Sequence, residues 1–589
     1  MQGKRKLRGP GAGLLLAMAA ATGATGAASA REKVDLLLYD ANVLTVDRDF
    51  SIRSAVAVRD ERIVAVGGPE LRKRYRATRE LDLGGRTLMP GFTDTHLHSM
   101  SVAPSDIDVA SARSVAEVQA MLRRKAAELG AGKWITGRDW QEANFAENRN
   151  LTRADLDAAS PDNPVFLIRA GGHSAVSNSV ALKLAGIDRT TPDPEHGLIE
   201  HTPDGEPNGI IRERTDLVRR LIPQPSWDEM RPGYITWLRS VLAMGVTTFF
   251  NAWGSFDDEP LDRGGVANPA PTLTFRRARE IYALMGDSLP RMVMYINYPG
   301  VERLQAFGHH TGYGDKYVKL GPIGENPVDG GFTGPTAWLL ADYKGQPGFR
   351  GKGRYTDTEL QEMVDSAARL GWQIGLHCIG DAAIVQTVNA YDKALNAIPP
   401  VDHAAGDRRW FTDHFTIMPP DSTMRRMRKD DILISQQPNF LYALEDRYRQ
   451  TLDDWRLEHN NPVATPVHDY GLFVAFGSDN LPSGPMTGLY VAITRKGPSG
   501  RVIGAGEAVS RREAIRMYTA NGPYFSWEEK EKGTLEAGKL ADMVVLPFDP
   551  MTADPQVILD GKVDMTFLGG KLVYERKERS GSGKGRAVR

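Results

Sequence analysis

Two histidines one residue apart, in Met89-Pro90-Gly91-Phe92-Thr93-Asp94-Thr95-His96-Leu97-His98, are the first residues of this chain whose spacing could do chemistry. Side chains two apart on a strand point to the same face, so His96 and His98 can aim both imidazoles at one ion while Leu97 turns into apolar packing. The same spacing also suits two exposed polar residues on an edge strand, and the pair alone does not decide. Three more candidates end apolar, strand-like runs: His377 after Gln373-Ile374-Gly375-Leu376, His414 after Phe411-Thr412-Asp413, and Asp479 after Val474-Ala475-Phe476-Gly477-Ser478. In an α/β barrel the reactive groups come from the carboxyl ends of different strands and meet at one mouth, however distant in sequence. A lone His beside a strand is more often a hydrogen-bonded structural residue. The joint placement is what points to a metal.

Lys319 lies inside Tyr317-Val318-Lys319-Leu320, where a lysine is costly unless its amine is paired, neutral or modified. A carbamate formed with CO₂ would turn it into a carboxylate able to bridge two ions; a solvent-facing lysine on an edge strand is the equal alternative. Cys378 is the only cysteine, so neither an internal disulfide nor a multi-thiolate zinc site is available. Any ion must be held by His, carboxylate or modified Lys. Such ligands suit Zn²⁺, which polarises carbonyls and lowers the pKa of water towards about 7.

The elements that would position these residues follow from hydrophobic patterning. Val34–Tyr39, Ser54–Val58 and Ile63–Val66 are short apolar runs separated by turn residues and read as β-hairpins. After Pro90-Gly91, strand-like runs alternate with longer helical patterns. The runs are Trp134–Gly137, Val165–Ile168, Thr247–Phe250, Met292–Tyr295, Tyr317–Leu320, Gln373–His377 and Leu472–Phe476, and the helical patterns include Ser114–Leu129 and Asp357–Leu370. Alternation of this kind implies a parallel sheet with crossover helices, and periodicity alone fits a closed barrel or an open doubly wound sheet equally. Strands return at Met543–Leu546, Val563–Phe567 and Lys571–Tyr574, with Gly569-Gly570 as a hairpin signal. This segment is expected to pair with residues 32–88, making a small β domain from both ends of the chain.

Length and charge narrow the partners. The 589 residues carry 73 Lys plus Arg against 74 Asp plus Glu, a formal net charge of -1, which offers no long-range field for nucleic acid or an anionic membrane. A small-molecule substrate is expected, and a homodimer stays open. At the N-terminus, Lys4, Arg5, Lys6 and Arg8 precede the apolar run Leu14–Ala21 and the small residues Ala28-Ser29-Ala30. That is the pattern of a secretory signal cut after Ala30, too short and too rich in Ala and Gly for a membrane anchor, and it predicts a periplasmic or secreted protein.

Taken together, these residues resemble the amidohydrolase superfamily, in the branch containing N-substituted formamide deformylase. The resemblance covers nearly the whole chain after residue 30. It runs through Pro90–His98, Gly172-His173-Ser174-Ala175-Val176-Ser177-Asn178-Ser179, Gly205–Ile210, Leu376-His377-Cys378-Ile379-Gly380-Asp381-Ala382, Gly477-Ser478-Asp479 and Gly533–Asp542. It implies a (β/α)₈ TIM-type barrel over residues 89–530 with an insertion near 105–215, and a small β-sandwich domain from 31–88 and 531–576. Residues 1–30 would be the leader and 577–589 a disordered tail. By the same resemblance His96, His98, His377 and His414 are metal ligands, Lys319 is a carboxylated bridge, and one or two Zn²⁺ ions are held. Asp479 is both ligand and proton carrier, and His173 lines the substrate pocket, where it could donate a hydrogen bond to an oxyanion. Two departures stand out. Lys319 is followed by Leu320-Gly321-Pro322-Ile323-Gly324-Glu325-Asn326-Pro327-Val328-Asp329 where many relatives have an apolar-apolar-Ala-Asp-Gly-Ser run, and Asp413 precedes His414 where Glu is usual. The expected reaction is hydrolysis of an amide-type carbon–nitrogen bond, N-acyl or N-formyl. An ester or lactone hydrolase on the same centre, and an inactive binding protein of the same fold, are the alternatives.

Overall fold

The computed structural model describes residues 31–169, 174–195, 197–258, 272–401 and 407–577. The expected leader, the tail from residue 578 and His173 lie outside the described residues. Eight parallel strands form one sheet in which each neighbours the next in chain order. They are β1 (Phe92–Leu97), β2 (Val246–Asn251), β3 (Arg291–Ile296), β4 (Val318–Gly324), β5 (Ile374–Cys378), β6 (Phe411–His414), β7 (Leu433–Gln436) and β8 (Val474–Phe476). Helices such as Asp357–Arg369 and Asp381–Ala397 connect them. The first of these begins where the side chain of Thr356 accepts from the N–H of Glu359 and the Glu359 carboxylate reaches back, a reciprocal cap.

Nearly continuous apolar strands are what a sheet covered on both faces requires. Residues such as Phe249, Met292, Leu376, Ile434 and Val474 point outward into the core shared with the helices. Phe250, Val293, Tyr295, Phe411, Leu433 and Ala475 point inward and meet Phe525, which fills the lumen. The barrel is closed between β8 and β1 by polar contacts rather than a regular ladder. The Asp479 N–H donates to the His96 carbonyl at 2.7 Å. Asp94 accepts from the backbone N–H of Ser478 at 3.0 Å, from its hydroxyl at 2.5 Å and from the His96 N–H at 3.1 Å. A Cβ at Gly477 would stand 2.6 Å from the His96 nitrogen, so this approach needs glycine.

Between β1 and β2 a separate six-stranded sheet spans Asp106 to Arg212 and includes Ile135–Trp140 and Val165–Arg169. Those two runs, which read in the sequence like members of the alternating region, belong to this sheet and not to the barrel. Their core of Val118, Leu122, Ile135, Leu151, Val165 and Val176 is distinct from that of the barrel. The chain ends supply two further sheets. One has four strands from residues 32–82, and the other joins Thr87–Pro90 and Asn42–Leu44 to Met543–Leu546, Met565–Leu568 and Lys571–Glu575. Leu36, Val56, Leu88, Val545 and Phe567 pack between them. Gly569 and Gly570, both at positive φ, turn the last hairpin. Among the described residues no helix is long and apolar enough to cross a membrane.

The floor of the barrel, at the amino ends of the strands, holds a buried ionic group. Glu528 lies 2.7 Å from Lys319 Nζ and 2.8 Å from Lys532 Nζ, and accepts from the Ser526 hydroxyl. Burial opposes the ionisation of Glu528, but the charges of Lys532 and Lys319 overcome it and hold its pKa down at about 2. A carboxylate depressed below its unfolded value of 4.5 stabilises the fold fully above that pH, and the contribution disappears as pH falls towards about 2. Replacing Glu528 by Gln leaves two lysines facing a neutral amide. Urea unfolding at pH 7 is expected to show a loss of roughly 3 kcal/mol or more, and the gap from the parent should narrow below about pH 4.5. A gap of the same size at pH 7 and at pH 3.5, or no gap at all, would contradict this account.

Candidate metal centre

At the opposite, carboxyl end of the barrel, five of the residues singled out from sequence come together. His96 lies near the end of β1 and His98 directly follows it, His377 lies in β5, His414 ends β6 and Asp479 follows β8. Leu97, between the two histidines, faces the outer core as its place in the alternation requires. At their centre is a residue that the sequence patterns do not single out as a ligand, Glu325, directly after β4. Its Oε1 lies 3.9 Å from His98 Nε2 and 3.3 Å from His377 Nδ1. Its Oε2 lies 3.9 Å from His96 Nε2 and 3.7 Å from His414 Nε2. Asp479 closes the first side, with Oδ1 3.5 Å from His98 Nε2 and Oδ2 3.9 Å from His96 Nε2.

The donor set fits an ion. Glu325 belongs both to a triad with His96 and His98 and to a triad with His377 and His414. Two ligands held at ~2.1 Å by a tetrahedral ion stand ~3.4 Å apart, beyond good hydrogen-bond range, and these separations run from 3.3 to 3.9 Å. His96 Nε2 and Glu325 Oε2, which face each other at 3.9 Å across the centre, are both buried without a hydrogen-bond partner. Buried polar atoms are rarely left this way unless something else satisfies them. The His414 ring is turned towards the same place. Its Nδ1 meets Gln437 Oε1 at 2.8 Å, leaving Nε2 to face the cluster, where it lies 2.8 Å from His377 Nδ1. Phe440 stacks on the His414 ring with centroids 5.3 Å apart and so walls that side with apolar surface.

The electrostatics follow from burial and proximity. Burial opposes charge on Glu325, yet the imidazoles of His377 and His96 draw its pKa well below the usual carboxylate value. Burial, with His414 and His98 nearby, pushes His96 down to about 3, so its ring is neutral at pH 7 and offers a lone pair. For His377 burial again works against the charged form, but Glu325 outweighs it and the pKa rises. Asp329, enclosed beside this group, is pushed up by burial even though it accepts backbone N–H groups from Trp338, Ile379 and Gly380.

Backbone conformation marks the same positions. Glu325, His414 and Asp479 adopt φ of 49°, 72° and 54°, a region that costs side-chain-bearing residues energy and concentrates at functional sites. Each sits where a strand ends, and the turn of the chain there directs the side chain across the barrel mouth.

Lys319, expected as a carboxylated bridge, is not brought to this group. It does point into the lumen, being paired in register with the inward-facing Val293. It stands at the start of β4, however, six positions before Glu325, or ~20 Å along a strand. Its amine is satisfied by Glu528 on the floor. The place between the imidazole pairs is filled by Glu325, a carboxylate that needs no modification. The signal that could have found it is the one that found His377 and Asp479: an ionisable residue ending a strand-like run.

Comparison with known proteins identifies the family. A profile of the amidohydrolase family matches residues 79–574. The N-substituted formamide deformylase of Arthrobacter pascens is 29% identical over 568 residues, covering 92% of this chain and 98% of that protein. YtcJ of Bacillus subtilis (strain 168) is 28% identical over 533 residues, covering 89% and 96%. In fold, the chain is similar to the crystal structure of an uncharacterised metal-dependent hydrolase from Pyrococcus horikoshii OT3. There the TM-score is 0.66 at 21% identity, covering 88% of this chain and 99% of that one. With the profile spanning most of its length, the chain belongs to the amidohydrolase family.

Proposed function

We propose that this protein hydrolyses an amide-type carbon–nitrogen bond at a centre of two divalent ions, Zn²⁺ being the first choice for an imidazole and carboxylate set. The observation that carries this reading is Glu325, one carboxylate within 3.9 Å of all four imidazoles, its Oε1 facing His98 and His377 and its Oε2 facing His96 and His414. His96, His98, Glu325 and Asp479 would hold one ion; Glu325, His377 and His414 would hold the other. When bound, the ions supply Lewis acidity towards a carbonyl and lower the pKa of water. The remaining work belongs to the chain. Asp479, with 15% of its side chain exposed, is open to the mouth while Glu325 and Asp413 are enclosed. It is therefore the carboxylate placed to take a proton from the attacking water and return it to the departing nitrogen. The apolar wall around Phe440 keeps bulk water from His414 and strengthens every charge interaction beside it.

The name of the formamide deformylase relative makes N-formyl and N-acyl amines the first substrates to try. Export through the leader read in residues 1–30 belongs to the same proposal.

Two measurements test it. Metal analysis of purified protein is expected to give about two ions per chain in the parent and in Lys319→Met, with Glu325→Gln losing affinity at least ~10-fold. Full metal content in Glu325→Gln, or its loss in Lys319→Met, would sink the shared-carboxylate reading. Hydrolysis of an N-formyl and N-acyl amine panel, with matched esters and lactones, should show amide turnover in the parent. Asp479→Asn should lower kcat ~10²- to 10⁴-fold. Parent-rate turnover by Asp479→Asn removes that residue from proton transfer, and a panel in which only esters or lactones react removes the amide assignment.

A further inference from the structure

A side chain behind the ligands carries an inference of its own. Asp413 is fully buried, as is His96, and its Oδ1 lies 3.1 Å from His96 Nδ1, the ring nitrogen turned away from Glu325 and Asp479. The approach is off the best angle for a hydrogen bond, since neither His96 nitrogen has a hydrogen-bond partner. A modest rotation of the ring as Nε2 engages an ion would align it. The same Oδ1 stands 3.3 Å from the Tyr295 hydroxyl, which donates to the Thr95 carbonyl at 2.9 Å, and the Tyr295 ring meets the edge of His96. Ser435 faces Asp413 across the β6–β7 register, and its hydroxyl pairs with that of Thr95 at 3.0 Å. Residues from β1, β3, β6 and β7 therefore hold one carboxylate behind one imidazole.

The strand geometry explains how Asp413 can face inward next to a ligand. In register Asp413 lies opposite His377 and His414 opposite Cys378, so regular alternation would send His414 outward with Cys378. The φ of 72° at His414 breaks the alternation, and consecutive residues both look into the lumen. Among the described residues, His414 and His377 are backed differently. His414 rests on the neutral amide of Gln437, and Asp329, 4.0 Å from His377 Nε2, spends both oxygens on backbone N–H groups.

We propose that Asp413 is a positioning residue for the metal centre: it fixes the tautomer and orientation of His96 through Nδ1, so that Nε2 presents its lone pair to the ion. A carboxylate behind a ligating imidazole also raises the basicity of the ligand, and losing such a partner typically weakens metal binding ~10- to 100-fold. The inference rests on the two-ion reading above, and its test separates the two.

The test is Zn²⁺ affinity of the stripped protein, measured by competition with a chromophoric chelator, together with the visible spectrum of the Co²⁺-loaded form. Parent protein that takes up no Zn²⁺ overturns the metal reading and this inference with it. Given a metal-binding parent, Asp413→Asn is expected to fold as the parent does, bind its weaker ion ~10- to 100-fold less tightly and show a shifted Co²⁺ spectrum. Thr412→Val, a buried change one residue away, should bind like the parent. Parent-like affinity and spectrum in Asp413→Asn overturn the proposal, as does an equal loss in Thr412→Val. Should Asp413→Asn fail to fold, Tyr295→Phe removes the hydroxyl beside Oδ1 and keeps the ring. Several-fold weaker Zn²⁺ binding in that variant supports the proposal, and unchanged binding overturns it.

Discussion

A carboxylate shut away from water must be neutralised by whatever surrounds it, and Glu325 meets that requirement with imidazoles. Its ion-pair partners among the described residues are His96, His98, His377 and His414. Isolated charge burial costs several kcal/mol per ion even after relaxation, so this arrangement persists only if the neighbours share the charge or an ion joins them. The layering of the barrel reflects the same constraint. An ionic group of Lys319, Glu528 and Lys532 closes the floor, an apolar layer around Tyr295 and Phe525 fills the middle, and the imidazoles with Glu325 occupy the top. The apolar layer keeps the two charged ends from exchanging partners. Lys319 is thereby held to a structural role, although it lies on the same strand that leads to Glu325.

The carboxyl ends of the strands are where such a cluster can be built without breaking the sheet. Within a ladder, alternate residues face alternate sides, and backbone groups are committed to neighbours. Past the last ladder bond the chain is free to turn. Glu325 and Asp479, past the ends of their strands, and His414, the last residue of its own, all turn through positive φ, and each reaches the cluster from a different strand. Conformations of this kind cost about 1–3 kcal/mol each and survive where surrounding structure fixes them. Gln437 behind His414 and the His96 carbonyl on the Asp479 N–H are such fixtures.

Much of this is legible in the chain, and the reasons for the remainder are physical. His96 and His98 declare themselves by spacing, because strand alternation is local. His377, His414 and Asp479 are visible as the ends of apolar runs, since a strand entering a buried site must be apolar until the site is reached. Glu325 satisfies the same rule, yet Lys319 draws attention because a lysine within an apolar run looks anomalous. Its explanation, Glu528, lies 209 residues later in the sequence and has no local trace. The runs at 134–137 and 165–168 are indistinguishable from barrel strands for a similar reason. Ile135–Trp140 and Val165–Arg169 do pair in parallel, as barrel strands do, but in another sheet. Periodicity reports whether a strand is covered on both faces, not which sheet covers it.

Closure is the step that local patterns least reveal, and the centre depends on it. Five of the six candidate ligands could be gathered by an open sheet running from β1 to β7; Asp479 could not, because β8 would then lie at the far edge from β1. The contact of Asp94 with Ser478, separated by 384 residues, brings that edge back against His96. Gly477 permits the approach by presenting no Cβ to the His96 backbone, and the Asp479 N–H then bonds the carbonyl of His96 itself. The carboxylate proposed to handle the proton is thus tied to the main chain of a candidate ligand. Anything that shifts one shifts the other, and the distance from Asp479 to His96 is set by the seam of the barrel and not by a loop. The Gly-Ser-Asp sequence after β8 supplies all three requirements in order: room, a clasp and a carboxylate.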